Sequence, residues 1–136
     1  VDLKSCEASG LKIDADTVLW WLQQDVDARG VLINGQREAA PLYTALDAFT
    51  GFYADSEAIW CNGASFDYPI LSAAYAAIRE NAPWQFWQEH DLRTLKNLNK
   101  GARLARLGTH HSAIDDAIHQ ARLVQHILQF NPDMDA

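Results

Sequence analysis

The stretch Ala58-Ile-Trp-Cys-Asn-Gly-Ala-Ser-Phe-Asp-Tyr-Pro69 decides the fold, because an apolar run meets a turn and then the start of a helix. The run Ala58–Cys61 is too short for a helix and has the aromatic and β-branched content of a buried strand. Pro69 suits a first helical position, and the helix is predicted to continue to about Glu80 with one apolar stripe formed by Ile70, Ala74 and Ile78, and by Leu71 and Tyr75 beside it. Asp67 therefore lies at a strand–helix junction, where open α/β sheets present functional groups.

Helical patterns precede and follow this unit. Thr17–Gln24 reads as a short helix capped by Asp14 or Asp16, which makes Trp20 and Trp21 core or interface residues. Pro41–Tyr53 carries the amphipathic stripe Leu42, Leu46, Phe49 and Tyr53. The last helix is predicted from Ser112 to about Phe130, with the inner stripe Ala113, Ala117, Ala121, Val124 and Leu128. A strand followed by a helix, among further helices, indicates α/β layering.

The composition fits a single domain over residues 1–136, since 49% of the residues are hydrophobic and no linker divides the chain. No run approaches the roughly 18 apolar residues of a membrane span, and no signal pattern opens the chain. The two cysteines, Cys6 and Cys61, have neither metal-ligand spacing nor the density of a secreted scaffold. We therefore expect a soluble, cytoplasmic protein with reduced thiols and no membrane partner.

The charge is unevenly distributed. The net charge is −7, which by itself argues against a nucleic-acid partner, but no acidic residue interrupts the sequence from Leu92 to Ile114. Five of the eleven Lys and Arg residues fall in this segment: Arg93, Lys96, Lys100, Arg103 and Arg106. They form either a phosphate-binding surface or a solvated helix face.

Two constellations carry possible chemistry, Asn62-Gly-Ala-Ser-Phe-Asp67 and His111-Ser-Ala-Ile-Asp-Asp116. Taken singly, each has a structural explanation. Asp67 can cap the following helix, and Asp115 and Asp116 favour the positive end of a helix dipole. By chemistry alone, His110 competes with His111 as a candidate base.

Together the two constellations resemble motifs II and III of the DEDD exonucleases, and in particular the DEDDh branch. His111, Ala113 and Asp116 match the third motif, His-x-Ala-x-x-Asp, and Asn62, Phe66 and Asp67 match the second. The flanking sequence is similar to a bacterial and phage subgroup that is typified by a mycobacterial 3′-5′ exoribonuclease and is often labelled exodeoxyribonuclease VIII.

The resemblance implies an RNase-H-like exonuclease fold, a mixed central sheet flanked by helices, and hydrolysis at the 3′ end of single-stranded RNA or DNA, with RNA slightly favoured. It implies that Asp67 and Asp116 hold Mg²⁺ or Mn²⁺, two ions in the complete enzyme, and that His111 is the general base. The expected nucleic-acid contacts are Asn62, Arg93, Lys96, Lys100, Arg103 and Arg106. A homodimer is possible.

Motif I, Asp-x-Glu on the first central strand, has no match in the chain. Asp14-Ala-Asp16 has the wrong final residue, and Asp2 with Glu7 has the wrong spacing. The chain is therefore expected to be the C-terminal part of an exonuclease domain, without the first strands and inactive by itself. The alternatives are a catalytically silent nucleic-acid-binding module of the same fold and an α-helical interaction protein.

Overall fold

The computed structural model describes residues 1–108 and 112–130, apart from the side chain of Phe130. In this part of the chain the order of elements is α1 Leu3–Ala8, α2 Ala15–Leu22, α3 Val26–Gly35, α4 Leu42–Tyr53, β1 Ile59–Cys61, α5 Asp67–Ala77, β2 Glu89–Asp91, α6 Leu92–Leu98 and α7 Ala113–Phe130. A single 3₁₀ turn, Phe86–Gln88, precedes β2. The described residues thus form a small α/β structure. None of their helices combines the length and the apolar character that a membrane span requires.

The two strands pair in parallel, with Ile59 opposite Glu89 and Cys61 opposite Asp91. Helix α5 forms the crossover between them, which places the ends of both strands at one edge. The predicted strand at Ala58–Cys61 is confirmed. Within the described residues, β2 is the only strand that pairs with β1.

The main core lies between α4, α5 and the sheet. Its buried residues are Leu42, Leu46, Tyr53, Cys61, Tyr68, Ala74, Tyr75 and Trp84. The indole of Trp84 is the centre of an aromatic group, with ring centroids of Tyr75 at 5.9 Å and of Tyr53 at 6.3 Å. Its Nε1 donates a 3.0 Å hydrogen bond to Glu89 Oε1. Leu42, Leu46 and Tyr53 are buried in this core and Phe49 packs against it, so the amphipathic stripe predicted for α4 is confirmed.

Tyr68 connects α5 to both strands. Its hydroxyl accepts a hydrogen bond from the His90 backbone N–H at 2.9 Å and lies 2.7 Å from the carbonyl oxygens of Ile59 and His90. Burial raises the pKa of this phenol well above its usual value. The hydroxyl therefore stays protonated and acts as both donor and acceptor between the strands.

We predict that Tyr68→Phe lowers the free energy of unfolding by about 1–3 kcal/mol, because backbone groups of two strands lose a buried partner. Urea unfolding followed by circular dichroism measures the change. Tyr43→Phe removes the same atom from the exposed face of α4 and serves as the control. Equal stability of Tyr68→Phe and Tyr43→Phe would show that the hydroxyl does not fasten the strands.

A second core joins α6 to the C-terminal half of α7. It consists of Leu92, Leu95, Leu123, Val124 and Ile127, with Leu128 partly buried beside it. The predicted inner stripe of α7 is right at Val124 and wrong at Ala113, Ala117 and Ala121, which are exposed. The larger side chains at 123 and 127 bury more apolar area against α6 than the alanines do, so they set the orientation of the helix.

Three further expectations need correction. Helix α5 begins at Asp67 rather than at Pro69. Ile70 is exposed, because Tyr68, Ala74 and Tyr75 supply the inner face of α5. The first predicted helix spans Ala15–Leu22 instead of Thr17–Gln24. Trp20 on this helix is exposed, so of its two predicted environments, core or interface, the core does not apply. Of the two predicted caps, Asp14 is the one that acts, accepting from the Thr17 N–H at 2.8 Å.

Candidate active site

Asp67 lies where the sequence predicts, immediately after the turn that follows β1. The Phe66 N–H donates to the Gly63 carbonyl at 2.9 Å, which closes the turn and starts α5 at Asp67. The N-cap position is Phe66, and no side chain caps this helix end. Asp67 is exposed, so capping does not explain its place. Its exposed side chain lies at the strand–helix junction.

A second carboxylate, Asp91, lies at the same edge, at the end of β2. It caps α6, accepting hydrogen bonds from the Thr94 hydroxyl at 2.8 Å and from the backbone N–H groups of Arg93 and Thr94. These bonds hold the pKa of Asp91 below its usual value, although partial burial acts in the opposite direction. Burial, with a smaller contribution from the charges of Asp67 and Asp91, raises the pKa of the Cys61 thiol between them. Asp91 is thus near the site and serves as a helix cap.

A hydrogen bond from the Arg93 side chain connects α6 to the turn before Asp67. The Arg93 Nη2 donates to the Asn62 carbonyl oxygen at 2.9 Å. Gly63 is buried with φ of +134°, and a Cβ there would lie 2.9 Å from the same Nη2. Glycine is therefore needed both for the backbone conformation and for the close approach of the guanidinium. The Asn62 side-chain oxygen is buried and has no hydrogen-bond donor among the described residues.

Asp116 lies in the first turn of α7, and its carboxylate forms an ion pair with Arg106. The two side chains are each 29% exposed. Asp115, next to it, is positioned against Gly108. The position in the first turn agrees with a helix-dipole role for both carboxylates. In addition, the Asp116 carboxylate pairs with the guanidinium of Arg106.

The other predicted site residues are distributed as follows. Lys96 is exposed on α6, and Lys100 and Arg103 are exposed in the connection between α6 and α7. Of the five predicted cations in the basic segment, Arg93 and Arg106 are engaged within the protein, and Lys96, Lys100 and Arg103 face solvent. His111, the predicted general base, and its competitor His110 lie outside the described residues.

The metal site predicted from the sequence is incomplete in the described part of the chain. Across residues 1–108 and 112–130, no three His, Cys, Asp or Glu side chains group closely enough to hold a metal ion. Asp67 and Asp116, the two predicted ligands, lie in the first turns of α5 and α7 respectively. Both are carboxylates, the donor type that Mg²⁺ and Mn²⁺ prefer, but two such groups do not by themselves hold two ions.

Comparison with protein families adds an independent observation. The family model described as the 3′-5′ exoribonuclease Rv2179c-like domain matches residues 1–128. The chain belongs to this family. The matched span contains Asp67, the basic segment, His111 and Asp116, and it confirms the subgroup predicted from the motifs. No curated protein and no solved structure matches the chain.

In this exoribonuclease-like domain, several residues near the predicted site have no sequence motif to mark them. The Tyr68 hydroxyl is hydrogen-bonded to both strands, and Asp91 caps the start of α6. His119 and Arg122 lie on α7 beyond Asp116. Their spacing from Asp116, three and six residues along a helix, is the signal from which they could have been found.

Proposed function

We propose that this protein is a divalent-metal-dependent 3′-5′ exonuclease that shortens single-stranded RNA from its 3′ end, with single-stranded DNA as a poorer substrate. The observation that carries this proposal is the family match over residues 1–128. The exposed carboxylate of Asp67 at the strand–helix junction agrees with it, because functional groups of α/β sheets gather at such ends.

In the proposed site, Asp67 and Asp116 are two of the carboxylates that hold Mg²⁺ or Mn²⁺, and His111 is the general base. Bound divalent ions supply charge stabilisation for the attacking and leaving oxygens of a phosphodiester. An imidazole with an ordinary pKa of about 6.5 accepts a proton readily at neutral pH. In the described structure the Asp116 carboxylate is paired with Arg106, which a metal ion would have to displace.

The remaining ligands require further strands, and we propose that these complete an RNase-H-like exonuclease fold. In the described residues the second edge of β1 has no partner strand. Trp60 of β1, Leu92, and Ala117 and Ala121 of α7 line an open groove of about 340 Å³. Ile114 and Ile118 on the same helix are 70% and 53% exposed. A strand carrying Asp-x-Glu, from a longer form of the chain or from a second copy in a homodimer, fits this edge.

The basic surface is the proposed path of the substrate. Between residues 92 and 130 the chain has six Lys and Arg residues and two acids, whereas the rest of the chain has five and sixteen. The solvent-facing side chains of Lys96, Lys100 and Arg103 are available to phosphates, and the Asn62 amide borders the turn before Asp67. The free thiols of Cys6 and Cys61 agree with a proposed cytoplasmic location.

A second candidate, a catalytically silent nucleic-acid-binding module, is favoured by one observation, the ion pair that occupies Asp116. One experiment separates the two. The native protein is incubated with matched single-stranded RNA and DNA, with Mn²⁺ or with a chelator.

We expect metal-dependent shortening of both substrates, with RNA digested faster. Binding to RNA without shortening at any Mn²⁺ concentration would instead support the silent module. Faster digestion of DNA would reverse the substrate preference and leave the exonuclease proposal standing.

A further inference from the structure

We propose that Lys96, Arg106, His119 and Arg122 form a binding site for a single phosphate group on the face shared by α6 and α7. The proposal deepens the proposed function and rests on it for the identity of the ligand, a phosphodiester of single-stranded RNA. Neither His119 nor Arg122 belongs to the motifs or to the basic segment defined from the sequence.

The helix spacing places three of the relevant groups on one face of α7. Asp116, His119 and Arg122 follow one another at intervals of three residues within Ala113–Phe130, so their side chains are neighbours along the helix. Arg106 joins this face through its ion pair with Asp116. Helix α6 packs against α7 through Leu95, and Lys96 follows Leu95 on α6 with an exposed side chain.

The electrostatic surroundings of His119 support the convergence of these charges. Partial burial, and the positive charges of Arg106, Arg122 and Lys96, lower the pKa of the imidazole. These three cations belong to the α6–α7 connection, α7 and α6 respectively. The His119 Nδ1 atom is buried and has no hydrogen-bond partner in the described residues.

The cluster lies in a segment of the chain that is rich in positive charge. Between residues 92 and 130 the only acids are Asp115 and Asp116, and Asp116 is paired with Arg106. Grouped cations repel one another, and an anion placed among them removes that repulsion. An anion bound among these side chains would therefore be stabilised.

Phosphate is the anion that this set of donors fits. The guanidinium of an arginine presents paired N–H donors to phosphate oxygens, and a lysine adds a point charge. A neutral imidazole offers one N–H donor and one acceptor, so it can bond to a phosphate oxygen without adding another charge to the cluster. The position one to two turns along α7 from Asp116 suits a phosphodiester upstream of the 3′ end.

The test measures binding without cleavage. The chain is titrated with a short single-stranded oligoribonucleotide, and separately with inorganic phosphate, in the presence of a chelator. The ring C–H signals of its five histidines are followed by NMR. His119→Gln assigns the His119 signal, and the indole N–H signal of Trp84, which is buried in the main core, is the internal reference.

We expect the His119 signal to move with both ligands and the Trp84 signal to stay. In Lys96→Ala/Arg122→Ala the oligonucleotide should bind about tenfold more weakly, as expected for lost hydrogen bonds to a charged group. The slope of log K against log salt should fall by about 0.7, the value for one phosphate of a single strand.

The matched control is Lys4→Ala/Lys12→Ala, which removes the same charge from exposed positions outside the cluster. Thermal unfolding shows whether each variant is folded. An unmoved His119 signal, or equal weakening by the two double variants, would overturn the phosphate site. Because the assay needs no cleavage, a chain without nuclease activity can still pass it, and an active nuclease can fail it.

Discussion

Replacing Asp116 by alanine is expected to abolish 3′-end trimming by the native protein while the fold survives. The substitution removes a carboxylate from the proposed metal site and leaves Arg106 without its partner. Loss of a metal-held charge costs several kcal/mol in the transition state, which corresponds to a rate reduction of at least about 10³-fold. The rate of nucleotide release from single-stranded RNA in Mn²⁺ measures the effect.

The adjacent Asp115 provides the control, because Asp115→Ala makes the same change of charge in the same helical turn. We expect Asp115→Ala to keep activity within a few-fold of the unmodified protein and Asp67→Ala to lose as much as Asp116→Ala. Asp116 is partly exposed, so circular dichroism and thermal unfolding should show little change in either Asp116→Ala or Asp115→Ala. Trimming by Asp116→Ala at the unmodified rate would show that the site assignment is wrong.

Replacing His111 by alanine is expected to slow the chemical step by about 10²–10⁴-fold, the usual contribution of a general base. Only the neutral imidazole accepts a proton. The rate of the unmodified protein should therefore rise with pH through the pKa of His111, and the variant should lose that rise. Single-turnover rates measured between pH 5.5 and 8.5, a range that includes the ordinary histidine pKa of about 6.5, record both effects.

Mn²⁺ affinity distinguishes a base from a ligand in the same experiment. We expect His111→Ala to bind Mn²⁺ as tightly as the unmodified protein, and His110→Ala to be nearly normal in rate. A large loss of Mn²⁺ affinity in His111→Ala would make His111 a metal ligand. If His110→Ala lost as much rate as His111→Ala, the assignment of His111 as the general base would not be supported.

The sequence predicted the elements that are marked by a continuous apolar run or by a helical apolar period. Strand β1 and helix α4 are examples, and both lie in the main core. Strand β2 was missed because Glu89-His-Asp91 has no apolar residue, and it is a strand only because it pairs with β1. The end of α5 was placed too late because Arg79 takes a positive φ of 62° just after the helix, where glycine usually marks the stop.

The candidate site was predictable as a set of residue types and not as a set of contacts. Asp67 follows a strand, a turn and a helix start that are local in sequence, so its place was predicted correctly. The contact between Arg93 and Asn62 spans 31 residues and depends on how α6 lies against the turn. The pairing of Arg106 with Asp116 likewise depends on the path of the α6–α7 connection. No local pattern shows that two of the five cations are engaged within the protein.

The exposed alanines of α7 show a further limit of periodicity. A helix with apolar residues on more than one side has no unique inner face until its neighbours are known. Here α6 selects the face with Leu123 and Ile127, and the side with Ala117 and Ala121 borders the groove at Trp60. This groove is the place at which the proposed additional strand is expected.

The central claim, 3′-5′ exonuclease activity that depends on Asp116, is tested most directly by the products from single-stranded RNA labelled at its 5′ end. With Mn²⁺ the native protein should give a ladder of labelled products that shorten progressively from the 3′ end. Asp116→Asn, which keeps the size of the side chain, should give none. Early release of a labelled mononucleotide, or an unchanged ladder from Asp116→Asn, would contradict the proposed polarity or the proposed site.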